Sequence, residues 1–205
     1  MEDPEKGKTL MTHTLMRRAL APVVALAVVG ALAACSDTEP SGPGTRAAAS
    51  SQDSAAFNMA DVMFAQMMIP HHEQAIEMSD VLLGKDGIDP EVVDLAEQIK
   101  QAQGPEIETM SGWLDEWDMG MDGAGHDAVH GMMSGSDMES LEEADGAQAQ
   151  TLFLEQMIVH HEGAVDMAAD EVDDGRFPAT VEMAQTIVET QTDEIRFMED
   201  LLAAE

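Results

Sequence analysis

Residues 64–78 read FAQMMIPHHEQAIEM, and residues 153–167 read FLEQMIVHHEGAVDM. Phe64 aligns with Phe153, Met68 with Met157, Ile69 with Ile158, Ala75 with Ala164 and Met78 with Met167. Between them the triplet His71-His72-Glu73 meets His160-His161-Glu162. The correspondence resumes downstream at a spacing one residue shorter: Ala96, Ile99, Gln103, Glu106, Ile107 and Met110 meet Ala184, Ile187, Gln191, Glu194, Ile195 and Met198. Matching at two fixed spacings means two copies of one supersecondary unit.

Each unit reads as a helical hairpin. The first helix is expected near 54–83, with Asp53 or Ser54 as its cap and Gly84 at its end. Pro70 lies inside it, so a kink or break is expected just before the first His pair. Asp89-Pro90-Glu91 supplies a cap, a Pro at the first position and an acid in the first turn for a second helix near 90–117, with a bend at Gly104-Pro105. Ser136 with Glu139 matches a capping box for a third helix, interrupted at Gly146 and ending near Val172. The fourth helix runs from Pro178 to Leu202, with apolar residues at Val181, Ala184, Ile187, Val188, Ile195, Met198 and Leu202. No strand-like alternation appears. The predicted fold is all-α: an antiparallel four-helix bundle built from two repeated hairpins.

The composition narrows the function. The chain of 205 residues has a formal net charge of -32, which excludes a nucleic-acid phosphate binder as the first reading and argues against electrostatic attachment to anionic lipid. A single Cys rules out an intrachain disulfide framework and thiolate-cluster metal sites. There are 18 Met against 5 Phe, 2 Trp and no Tyr. The acidity serves solvation for the most part, and it also makes a field that concentrates cations.

At about 100° per residue, His71 falls in the middle of an apolar stripe with Phe64, Met67, Met68, Ala75, Met78 and Leu82. His72 falls at its edge and Glu73 at the back. In the second unit His160 is again central, with Met157 and Met167 beside it. Methionine at helical spacing is ordinarily adaptable core, and one buried His is ordinarily bonded to a partner side chain. A His pair that recurs in two copies, amid Met and without Cys, instead favours metal binding. Thioether with imidazole selects soft ions, copper and Cu(I) above all. The Glu-x-x-His spacing of di-iron bundles is absent, because Met68, Ile69, Met157 and Ile158 stand three residues before the four His. The His-Glu-x-x-His of zinc proteases is absent too. A second candidate site lies in the loop 119–138, MGMDGAGHDAVHGMMSGSDM, where Met119, Met121, His126, His130, Met132 and Met133 (with Met138) have no evident core to fill. Glu73, Glu162, Gln103, Glu106, Gln191 and Glu194 are candidates to orient the ligands.

The paired motifs M-I-x-H-H-E-x-A-[IV]-[ED]-M, each followed by Q-x-x-E-I-x-x-M, resemble the bacterial DUF305 family over about residues 55–203. The resemblance implies an exported, ferritin-like four-helix bundle and, for some members, copper binding and tolerance. Carried over position by position, it points to His71, His72, His160, His161, Met67, Met68, Met78, Met157 and Met167 as metal ligands. Gln156 departs from the first copy, which has Met67 at that place.

The beginning of the chain reads as a targeting segment. Residues 1–15 look like an upstream extension, with Met11 or Met16 as alternative starts. Arg17-Arg18 precede an uncharged run ending Leu32-Ala33-Ala34-Cys35, shorter than the roughly 20 residues a spanning helix needs. This resembles a bacterial lipoprotein signal peptide, which implies cleavage before Cys35 and a lipid on its thiol. The expected organisation is therefore a signal peptide with its extension at 1–34, a lipidated Cys and flexible tether at 35–54, and the bundle at 55–205. The expected function is a protein tethered to the membrane through Cys35, on the outer side of the cytoplasmic membrane or in the periplasm or cell envelope, that buffers copper without catalysis. Its rivals are a ferritin-like metal-dependent oxidase, which needs an open coordination position and nearby acid–base groups, and a non-metal module whose His pairs only lock helices together.

Overall fold

The structure, a computed structural model, describes residues 57–121 and 130–204. It contains α1 (Met59–Leu83), α2 (Pro90–Glu116), α3 (Gly135–Glu143), α4 (Gly146–Asp174) and α5 (Pro178–Ala204), and no strand among the described residues. The four long helices form two hairpins, α1/α2 and α4/α5, which meet through α1 and α4. The short α3 rests against both of those helices. The all-α bundle of repeated hairpins is the fold expected from the repeat.

Local chemistry fixes the ends with some shifts. Asn58 caps α1 in a reciprocal box with Asp61; the expected caps Asp53 and Ser54 lie outside the described residues. Neither Pro70 nor Pro105 breaks its helix. Each removes one intrahelical donor, a local loss, and buried residues on both sides of Pro70 (Met68, Ile69, His71 and His72) hold α1 against its neighbours. The cap of α3 is Ser134 with Asp137, two residues before the expected Ser136 and Glu139. The interruption at Gly146 is present, with Gly146 at φ +41° starting α4.

The interior is two apolar clusters. Phe64, Ala65, Met68, Met110, Met167 and Ile187 belong to the first. Met78, Leu95, Ile99, Phe153, Met157 and Met198 belong to the second. On each long helix one buried polar residue or pair falls between members of the two clusters: His71 and His72 on α1, Gln103 on α2, His160 and His161 on α4, and Gln191 on α5. The bundle is thus divided by one polar layer, and the repeat supplies every member of it twice.

Candidate metal centre

All four imidazoles are fully buried. The rings of His71 and His160, one from each copy, lie face to face with centroids 3.7 Å apart and planes tilted by 35°. His72 and His161 flank them, each 6.4 Å from its chain neighbour. His72, at the edge of the stripe on α1, is buried as fully as His71 because α2 packs over that side.

The hydrogen bonds decide which nitrogen is free. His72 Nε2 lies 2.8 Å from Glu106 Oε2, and His161 Nε2 lies 2.8 Å from Glu194 Oε2. His71 Nε2 lies 3.1 Å from the carbonyl oxygen of His130. Carboxylates and carbonyls accept, so in each of these rings Nε2 donates. A neutral ring then carries its lone pair on Nδ1. The Nδ1 atoms of His71, His72, His160 and His161 are all buried without a hydrogen-bond partner, and His160 Nε2 has none either. Burial pushes the pKa of His71 down to about 3, helped by the neighbouring His72 and His161. Burial likewise holds His160 well below the ordinary range, with His71 repelling a second charge. The central pair is therefore neutral at physiological pH, the protonation state that ligates a metal. A carboxylate on the far nitrogen of His72 and of His161 is the arrangement that orients metal-binding imidazoles.

The other expected residues divide sharply. Glu106 and Glu194 bond the outer His of each pair rather than His71 or His160. Gln103 and Gln191 are buried with side-chain carbonyls unpartnered, so they anchor no imidazole through those oxygens. Glu73 and Glu162 are exposed on the outer faces of their helices, too hydrated to orient a buried ligand. Met68 and Met167 lie in the first cluster, with Met67 against it, while Met78 and Met157 lie in the second. The methionines therefore bracket the His layer from both sides rather than forming one group.

The loop does not behave as a free segment. His126 lies outside the described residues. Met119 packs against the first cluster, and Met133 and Met138 pack against the second. Met132 is half-buried, Met121 is 41% exposed, and the exposed His130 contributes its backbone carbonyl to His71. The expectation that these methionines have no core to fill is thus corrected for Met119, Met133 and Met138. The loop folds back because Gln66 donates to the carbonyl of Gly120, while Gln74 donates to Met133 O at 2.9 Å and accepts from Met133 N at 2.7 Å.

Two features escaped the sequence reading. Gly131 and Gly163 touch backbone to backbone: a Cβ on Gly163 would overlap the His130 carbonyl and come within 2.7 Å of Gly131 Cα. A buried acidic node joins the α1 start to the α4/α5 turn. Asp61 Oδ1 accepts from the backbone of Arg176 (2.9 Å) and Phe177 (2.8 Å) and from Thr180 Oγ1 (2.7 Å). Burial raises the pKa of Asp61, but those bonds and the one from Asn58 outweigh it and hold the carboxyl below its usual range. Glu171 is pushed up to about 7, chiefly by burial, and Asp61 adds to the rise. The discordant acid–Thr pairing could have been suspected only from Asp61 in a first turn, a position that ordinarily faces solvent.

Among the described residues, no group of three His, Cys, Asp or Glu side chains is placed to hold a metal ion, and no helix is long and apolar enough to cross a membrane. Any ion at the polar layer must be held by imidazole pairs with softer or external donors.

The model of the family "Domain of unknown function (DUF305)" matches residues 61–202. A DUF305 protein from Streptomyces coelicolor is 37% identical, with a TM-score of 0.66, over 71% of this chain and 91% of that one. A DUF305 fragment from Deinococcus radiodurans is 31% identical, also at TM-score 0.66, over 73% of this chain and 99% of that one. CopM in its Cu(I)-bound form is 30% identical at TM-score 0.61, over 70% of this chain and 96% of that one. CopM structures also exist with Cu(II) and with silver. No curated protein matches. The chain belongs to the DUF305 family.

Proposed function

We propose that this member of the family binds a soft metal ion, copper first, at the buried His layer, and buffers it in the cell envelope without turning it over. The observation that carries the reading is the set of four buried, unpartnered Nδ1 atoms, two of them on rings whose Nε2 is fixed by a carboxylate. Leaving such atoms unpaired costs about 1–3 kcal/mol each, and an ion between the rings removes that cost. His71 and His160 are the core ligands, with His72 and His161 oriented behind them. Met68 and Met157, one turn from the rings on each helix, are the nearest thioether donors in sequence. CopM, solved in Cu(I)-, Cu(II)- and silver-bound forms and similar over 96% of its chain, supports the metal class.

Anchoring by a lipid on Cys35 and export rest on the lipobox-like run, and the secreted-protein designation of the Streptomyces relative agrees with export. The helix-locking alternative is favoured by one feature, the two His–Glu pairs, which join α1 to α2 and α4 to α5.

The test is a competition titration against a Cu(I) chelator at neutral and acid pH. It compares the wild type, His71→Ala/His160→Ala and a form lacking residues 119–138. Loss of tight binding in the His variant alone supports the buried centre. Loss in the loop deletion alone makes the His pairs structural. Unchanged affinity in both, or Zn²⁺ bound more tightly than Cu(I), refutes the reading.

A further inference from the structure

Met67 and Met167, which the resemblance groups with the His pairs, also border a different feature. A cleft of about 270 Å³ opens between α1 and α4, lined by Met63, Met67, Met167, Asp170, Glu171 and Asp174 among others. Met63 and Met67 are one turn apart and share a face of α1. Met63 is 50% exposed, so packing does not account for it. Met67 is half-buried and Met167 almost fully buried. The thioethers thus run from the mouth of the cleft to its floor.

The carboxylates supply charge but not a seat. Asp170 and Asp174 are exposed at the rim, and the three acids are not placed to hold an ion by themselves. Glu171 is the unusual one. It is 1% exposed, and it is buried beside a second acid, Asp61, and the Thr180 hydroxyl. A buried carboxyl beside a second acid is costly unless a cation or proton compensates it. Three soft thioethers beside one buried carboxyl suit a monovalent d¹⁰ ion and disfavour a hard divalent one.

We propose that the Met63–Met67–Met167 cleft is a second, surface-accessible site for Cu(I) or Ag(I), with Glu171 as its counter-charge. The metal class is borrowed from the reading above, but the site shares no residue with the His layer. It stands whether or not that layer binds metal.

Silver ion is the probe, because it stays monovalent in air. The purified chain is titrated with Ag(I), bound equivalents are counted by native mass spectrometry, and sulfur ligation is followed by X-ray absorption. Three proteins are compared: wild type, Met63→Leu/Met67→Leu/Met167→Leu, and His71→Leu/His160→Leu. The Met-to-Leu changes conserve volume, and circular dichroism checks that the helices are kept. The methionine variant is expected to lose one equivalent and most sulfur scattering, while the His variant keeps that equivalent. If the His variant binds as many ions as wild type and the methionine variant still loses one, the cleft stands and the buried centre falls. The proposal is overturned if the methionine variant binds as many ions as wild type, or if the His variant loses all of them.

Discussion

His160→Leu should make the metal-free protein more stable, not less. His160 is fully buried and neither ring nitrogen has a partner. Leu is of similar bulk and brings no polar atom. Removing two unsatisfied groups returns about 1–3 kcal/mol each, and imperfect repacking of a similar volume takes back less than about 1.5 kcal/mol. The net expectation is a gain of at least about 0.5 kcal/mol and at most about 6 kcal/mol. For a domain of this size that is a rise of about 2–4 °C in Tm for each kcal/mol. The pH dependence carries a sign as well. Burial holds His160 well below the ordinary His range, so in acid the unfolded chain takes up a proton that the folded chain refuses. Wild-type stability therefore falls as pH drops below about 6.5, by up to about 1.4 kcal/mol per pH unit for this group. The Leu variant lacks that loss, and its advantage should widen from pH 8 to pH 5. Thermal and urea unfolding followed by far-UV circular dichroism, with a chelator present, measure both. A variant less stable than wild type by more than about 2 kcal/mol at pH 8 would show that the ring is a structural element, and the argument from unpartnered nitrogens would fail.

Gly163→Ala should loosen the 130–133 segment, because the new methyl overlaps the His130 carbonyl and neither backbone can yield; a cost of about 1–3 kcal/mol and faster amide exchange at Met133 are expected, and unchanged stability with unchanged exchange would refute the close contact. Glu171→Gln should stabilise the metal-free protein at pH 8 but leave it unaltered near pH 4. The carboxyl's folded pKa is raised to about 7, so its protonated form is favoured in the fold and wild-type stability declines as pH rises from the ordinary carboxyl range through that value. The difference at pH 8 is of the order of 2–3 kcal/mol, read from urea midpoints; a constant difference across pH would sink it.

The architecture was legible because the chain states it twice. The duplicated Phe–Met–His–His–Glu run set the facing of α1 and α4, and the Gln–Glu–Ile–Met echoes set α2 and α5. What stayed hidden were contacts between elements that do not repeat. Helical spacing put His72 at the rim of a stripe, yet spacing on one helix says nothing of the neighbour that covers it, and α2 buries the ring. The same holds for the methionines. On a helical wheel Met67, Met68 and Met78 crowd around His71, but a wheel discards height along the axis. In three dimensions Met68 joins one apolar cluster and Met78 the other. The loop methionines looked free because the anchors that draw the loop in, Gln66 and Gln74, are remote in sequence.

The repeat by itself implies a two-fold site with equal halves, and the halves are not equal. Gln74 in the first copy aligns with Gly163 in the second. Gln74 grips the backbone of Met133 from one side, and Gly163, lacking a Cβ, lets Gly131 approach from the other. The segment 130–133 occurs once, so it must break the symmetry wherever it lands. It lands where the His130 carbonyl accepts from His71 Nε2, a bond that His160 Nε2 does not have. The single segment, gripped by Gln74 and admitted by Gly163, thus makes the two imidazoles unequal: the His130 carbonyl holds His71 and not His160.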